Sequence, residues 1–200
     1  MDKEESLALF LGMLSGDGCL SIGHNGEGYR NYPIQFYNTD EGKVEIFSRL
    51  FHELFGIEGR VSSRKRKNRK EIWEFVKRSH KIADEIKNLG FPEGVKRDVL
   101  RILPIIFNGT NQEKIYFIYG VLITDGSIGK NRILFHSGSK LFLEDMSKLI
   151  AEFIGKEKLI KEYIQREIYK SYQLCLNKKE KDKLLSLMPG WHNGNAPVLS

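Results

Sequence analysis

Residues 10–18 read FLGMLSGDG, and residues 118–126 read IYGVLITDG. Each is an apolar run, helical by its composition, that ends in Asp-Gly. Small residues recur four apart on each: Gly12 and Gly16 on the first, Gly120 and Thr124 on the second. Side chains four apart share one helix face, so each run offers a flat stripe along which another backbone can approach closely. If the two stripes pack together, Asp17 and Asp125 end side by side. An Asp-Gly pair is a common helix stop. A carboxylate there, however, faces the negative end of the helix dipole at a cost of about 0.3–1 kcal/mol. Two such aspartates at matched places point to a purpose other than stability.

A second repeat lies downstream. Residues 34–56 (IQFYNTDEGKVEIFSRLFHELFG) align without a gap on residues 133–155 (ILFHSGSKLFLEDMSKLIAEFIG). Seven positions are identical, from Ile34/Ile133 to Gly56/Gly155. The Asp-Gly blocks are offset by 108 residues and these segments by 99, so the first copy carries nine extra residues. They fall between Ser21 and Pro33, where Gly, Asn and Tyr mark a longer hairpin turn.

Periodicity then gives the elements. The first half reads as helix 6–16, strands 19–24 and 32–38, helix 43–55 closed by Gly56, strands 59–64 and 71–77, and helix 80–89. The second reads as helix 113–124, strands 126–129 and 132–137, helix 141–154, strands 158–166 and 169–176, and helix 178–187. The expected fold class is α+β: two αββαββα halves related by a pseudo-twofold axis, joined by a central helix pair and carrying antiparallel sheets. The organisation is 1–90 for the first half, 91–112 for a linker with one short helix at 94–103, 113–187 for the second half, and an irregular tail at 188–200.

Two carboxylates held together repel, and both ionise comfortably only beside a cation. Oxygen ligands without His or Cys favour a hard ion such as Mg²⁺, or Mn²⁺ in its place, completed by water and substrate phosphate. The 200-residue chain carries a net charge of +6, which suits a polyanionic partner. Two cysteines make no disulfide framework. No apolar run reaches the roughly 18–20 residues of a membrane span. The acidic N-terminus (MDKEE) is unlike a targeting peptide. These features lead to the expectation of a soluble intracellular protein, in a prokaryotic cytoplasm or an organelle interior.

The two Asp-Gly blocks resemble the LAGLIDADG motif of homing endonucleases, with Ser15 and Ile123 where the signature has its first Asp. The resemblance extends over about residues 6–187, because the order of strands and helices also matches. It implies a monomer of the two-motif type whose saddle-shaped sheets sit astride a long asymmetric duplex. Asp17 and Asp125, with Gly16 and Thr124, then hold the metal ions, one aspartate serving each strand. It also implies a catalytic role for Lys96, which looks like the family lysine after the last helix of the first half. No second-half counterpart of that lysine is evident. Asp40 and Ser139 stand where relatives often have Gln or Asn.

In relatives the strands read base edges. The matching residues are Ser21, His24, Arg30, Tyr32, Gln35 and Tyr37 in one half, and Lys130, Arg132, His136, Gln165 and Gln173 in the other. Basic hairpin residues are expected along phosphates: Arg64, Lys65, Arg66, Lys67, Arg69 and Lys70, with Lys161, Arg166 and Lys170 opposite. The function implied is site-specific cleavage of both strands of double-stranded DNA. The alternative is a non-cleaving binder of the same fold, such as an intron RNA maturase or a regulator.

Overall fold

The computed structural model describes residues 1–21, 23–24, 30–65, 70–165, 169–188 and 190. Arg66, Lys67, Arg69 and Arg166 lie outside the described residues, as do the side chains of His24, Arg30 and Gln165 and residues 191–200 of the tail.

Helix α1 (Lys3–Asp17) begins at a capping box, in which Asp2 accepts from the Glu5 backbone and Glu5 from that of Asp2. It is apolar on nearly every side, and Ala8 to Leu14 are buried. Helix α5 (Asn111–Asp125) repeats the design with a Thr110/Glu113 box. The two helices pack along their small residues. A Cβ on Gly12 would stand 2.3 Å from the Phe117 carbonyl oxygen, and one on Gly120 would stand 2.6 Å from that of Leu9. Only hydrogen fits at either place.

The glycine after each aspartate is needed for space, not for a left-handed turn. Gly18 and Gly126 are extended, with φ of −92° in both. A Cβ there would strike the preceding helical turn, 2.8 Å from the Leu14 carbonyl oxygen or 2.3 Å from that of Leu122. Each helix therefore runs straight into its first strand, β1 (Gly18–Leu20) or, in the second half, β7 (Gly126–Gly129).

In the first half the chain continues through a small hairpin, β2 (Gly23–His24) and β3 (Arg30–Asn31), to β4 (Pro33–Asn38). That hairpin is the nine-residue excess, so the expected strand 19–24 is split in two. Helix α2 (Glu41–Phe55), strands β5 (Arg60–Arg64) and β6 (Ile72–Arg78) and helix α3 (His80–Asn88) complete the half. After a short helix α4 (Pro104–Phe107) and α5, the second half runs β7, β8 (Arg132–Ser137), α6 (Lys140–Ile154), β9 (Ile160–Gln165), β10 (Tyr169–Asn177) and α7 (Lys178–Leu185). The sheets have matching orders, β1-β4-β6-β5 and β7-β8-β10-β9, and every pairing is antiparallel. This is the expected α+β fold of two repeated halves. Helices α2 and α6 end at Gly56 and Gly155, both left-handed (φ 70° and 89°), which closes each one.

One face of each sheet is buried under its helices. The first core is aromatic: Phe36 stacks on Phe47 at 4.4 Å, and Phe75 and Phe51 close around them. The second is mostly aliphatic, with Ile133, Leu149, Ile150, Leu174 and Leu176 around Phe135 and Phe142.

The linker differs from its expected form. No helix spans 94–103. Asp98 is left-handed (φ 67°) and Gly94 likewise (φ 79°), which interrupts helical continuation. The stretch is instead a strap with a single turn at 97–99, tied to the first half by the Gly94 amide on the Leu20 carbonyl at 2.7 Å and to the second half by its later residues. Arg101 forks onto the Asp145 carboxylate with two 3.1 Å bonds, and the Ile102 amide donates to the same group. Ser139 Oγ donates to the Leu100 carbonyl at 2.8 Å. The helical turn forms one step later, with Pro104 in its first turn.

Candidate active site

Packing α1 against α5 brings their last turns together. A Cβ on Gly16 would meet Thr124 Oγ1 at 2.0 Å and lie 3.5 Å from the carboxyl carbon of Asp125. Thr124 Oγ1 donates back to the Gly120 carbonyl at 2.9 Å, and this hydroxyl and Cβ are the atoms that face Gly16. Asp17 and Asp125 are the C-terminal residues of these adjoining helices, each one residue before a sheet edge.

Both carboxyls titrate above the ordinary carboxylate range. Burial raises Asp125 to about 6, the charge of Asp17 adds to this, and Lys96 opposes it. Burial also raises Asp17, while a hydrogen bond from Asn38 and the charges of Lys96 and Lys43 pull it down. Asn38 Nδ2 donates to Asp17 Oδ2 at 2.6 Å.

Lys96 reaches across from the strap. Its ammonium donates to three carbonyls in the last turn of α1: Leu14 at 3.0 Å, Ser15 at 2.8 Å and Gly16 at 2.6 Å. These carbonyls carry the negative end of the helix dipole, so the cation offsets the field that disfavours a carboxylate there. Desolvation nevertheless lowers Lys96 to about 8, against the attraction of Asp125 and Asp17. Beside it lies a cleft of ≈ 270 Å³ bordered by Ser15, Gly16, Asp125 and the loop Ser137 to Ser139. Ser15 Oγ, buried on this wall, has no hydrogen-bond partner among the described residues.

Among the described residues no cluster of three His, Cys, Asp or Glu side chains forms a self-sufficient metal site. The donors that do meet are two carboxylates, raised toward protonation by burial and, at Asp125, by the charge of its neighbour. That set fits a hard divalent ion whose remaining ligands come from water and phosphate.

Asp40, expected beside the site, instead caps α2, accepting from the Gly42 amide at 3.1 Å. Ser139 caps α6 in the same way, although it also borders the cleft. The group that touches Asp17 is Asn38, two residues earlier. Its repeat mate is Ser137, and both accept from the amide two residues on. The aligned pair Asn38/Ser137, small and polar at the end of matching strands, was a signal available in the sequence.

Strand register settles which expected DNA-facing residues point away from the helices. Phe36 and Phe75, each 0 % exposed, pair inward, so Gln35, Tyr37 and Arg64 face outward. Ser21 sits with them, donating to Gln35 Oε1 at 2.9 Å. In the second sheet Phe135 and Leu174 face inward, so Arg132, His136, Lys161 and Gln173 face outward. Lys65, Lys70 and Lys130 are exposed at hairpin turns. Two residues do not share that face. Tyr32 is buried, edge-on to His80 at 4.6 Å. Lys170 follows the parity of Tyr172 and Leu174, turning to the helix side, where it pairs with Glu162 at 3.0 Å. Glu74 and Tyr163, not singled out from the sequence, do lie on the outer faces.

Residues 4–90 match the family model described as LAGLIDADG-like domain. No curated protein matches the chain. Among solved structures, mesophilic variants of the homing endonuclease I-DmoI superpose with a TM-score of 0.75 at 18% identity, covering 100% of this chain and 96% of theirs. The homing endonuclease I-WcaI bound to its DNA recognition sequence gives 0.63 at 17% identity, covering 96% and 83%. Full-length DUF199/WhiA from Thermatoga maritima gives 0.59 at 13% identity, covering 94% of this chain and 56% of that one. No helix among the described residues is long and apolar enough to cross a membrane. The chain thus carries a LAGLIDADG-like domain in its first half and, from end to end, the two-motif LAGLIDADG fold.

Proposed function

We propose that the chain is a site-specific endonuclease that binds a long asymmetric DNA duplex as a monomer and hydrolyses both strands with divalent cations held by Asp17 and Asp125. The observation that carries this is the meeting of two partly buried carboxylates at adjoining helix ends, each at the margin of a sheet whose outer face bears Arg and Lys. A protein that only bound nucleic acid would gain nothing from two negative charges set against phosphates. The fold is also shared with I-DmoI solved in complex with DNA and Mn.

Each residue then has a defined task. The basic outer faces and hairpin turns follow the phosphates and fix the register of the duplex. Asn38 orients the Asp17 carboxylate by donating to Oδ2, which leaves Oδ1 directed elsewhere. Gly16 and Thr124 bring the two carboxylates together by having so little bulk. Lys96 lies between the α1 carbonyls and Asp125, where its positive charge can steady a phosphate oxygen entering the cleft. A divalent cation such as Mg²⁺ or Mn²⁺, when bound, would supply charge stabilisation and make an attacking water more acidic.

The test is incubation with a randomised duplex library and Mg²⁺. Specific double-strand breaks are expected from the parent and not from Asp17→Asn or Asp125→Asn, and a chelator should stop cutting while sparing most binding. Retention of duplexes with no nick would overturn cleavage in favour of a regulator. Preferential binding of structured RNA would favour a maturase.

A further inference from the structure

Both sheets carry, one residue beyond the pairing that follows each aspartate, a row of side chains running straight across the strands on the outer face. In the second sheet the row is His136, Gln173 and Lys161. In the first it is Tyr37, Glu74 and Ser62. The rows are repeat mates, since Gly18 pairs with Phe36 as Gly126 pairs with Phe135.

Their chemistry differs at the centre. Gln173 has its amide shared out: Oε1 accepts from the Tyr163 hydroxyl at 3.0 Å, and Nε2 lies 3.3 Å from His136 Nε2. Glu74 puts a carboxylate at the matching place. It accepts from the Tyr37 hydroxyl, and the Arg64 guanidinium lies over the Tyr37 ring, 5.6 Å from its centroid. A carboxylate has about four lone-pair sites, so one hydrogen bond leaves most of its acceptor capacity free. On a face that meets a polyanion such a group weakens binding unless it accepts a hydrogen bond from the ligand.

In the major groove the available donors are few. Guanine and thymine present only acceptors and a methyl group. Adenine presents its N6 amino group beside the N7 acceptor, which a carboxylate repels, whereas cytosine presents the N4 amino group alone. We infer that Glu74, held by Tyr37, is a base-reading residue that selects cytosine through its N4 amino group in the target half bound by the first sheet. The position is an inner one, because the row abuts the strand that leaves Asp17. Gln173 imposes no such choice, so the target departs from palindromy at this matched pair.

This inference rests on the DNA-recognition reading above, and binding tests it without requiring cleavage. A randomised duplex library is selected in Ca²⁺ with the parent, Glu74→Gln and Glu74→Ala. The parent should enrich cytosine at one inner position, and replacing it by thymine should weaken binding about tenfold. Glu74→Gln, which both donates and accepts, should switch that position alone to adenine. Glu74→Ala should lose the preference there and bind random duplex more tightly, having shed a negative charge. The side chain is half-buried on the sheet surface, and an unchanged melting temperature will show that both variants fold. If all three proteins enrich the same base at every position, Glu74 reads nothing and the inference is overturned while DNA recognition stands. If the parent enriches no sequence, both fall.

Discussion

Asp17 and Asp125 occupy matching places in a repeat, yet their surroundings differ. Asp17 accepts a short hydrogen bond from Asn38. Asp125 and Ser137 border an open cleft together, where the charge of Lys96 acts on the carboxyl. The backbone obeys the repeat closely: the same helix ends, the same glycines forced by space, the same turn after the strand. Single side chains and one lysine delivered by the strap set the electrostatics. Duplication supplies a twofold frame, and departures from it make two unequal sites. Two DNA strands handled by these sites should therefore not be handled alike.

The largest expected effect breaks both sites. Asp17→Asn and Asp125→Asn should each lower double-strand cleavage about a thousandfold, in line with losing a group that stabilises transition-state charge. Strand-labelled duplex sharpens the comparison, because each variant should leave residual nicking on the opposite strand. Equal loss on both strands from either variant would show a single shared site. Next, Gly12→Ala should cost about 3 kcal/mol in a denaturant titration. Its Cβ meets backbone, the Phe117 carbonyl, which cannot rotate away.

A smaller effect separates the two surroundings directly. Asn38→Ala should slow one strand about tenfold by freeing the Asp17 carboxylate, a net hydrogen bond to a charged group being worth about 1.5–3 kcal/mol. Ser137→Ala, at the mate position, should change either rate by less than about twofold, because Ser137 makes no described bond to Asp125. Single-turnover rates for each strand decide this.

The smallest effect is thermal. Asp125 titrates at about 6 in the fold against 3.8 for a free side chain. Between those values the folded chain holds a proton that the unfolded chain has released, so stability falls as pH rises through the window. Above about pH 6 the charged carboxylate is fully penalised, and below about pH 4 the penalty is gone. Asp125→Asn should accordingly raise the melting temperature by a few degrees near pH 8, and the gain should vanish near pH 4. Mg²⁺ should narrow the same gap near pH 8 by stabilising the parent alone.

Much of this was legible in the residues. The two Asp-Gly blocks and the repeat offset by 99 residues gave the matching order of helices and strands and the helix pair, because duplicated periodicity is a long-range signal. Gly12 and Gly120 could be assigned to the interface from spacing alone. The strap could not be read this way. Residues 94–103 have helical spacing, but Asp98 turns left-handed while Arg101 and Ile102 dock on Asp145, a contact 44 residues distant that periodicity does not carry. The same limit displaced attention from Asn38 to Asp40. Both are polar and adjoin the strand end, and only the three-dimensional path of α1 shows which one meets Asp17. Strand parity likewise removed Tyr32 and Lys170 from the outer faces and added Glu74.

The most direct test of the central claim is anomalous scattering from crystals of the protein with its selected duplex, soaked in Mn²⁺. The account predicts peaks about 2.0–2.4 Å from carboxylate oxygens of both Asp17 and Asp125 and in reach of a phosphate. Ordered DNA with no peak at either aspartate, or with the two carboxylates turned away from the phosphates, would contradict it.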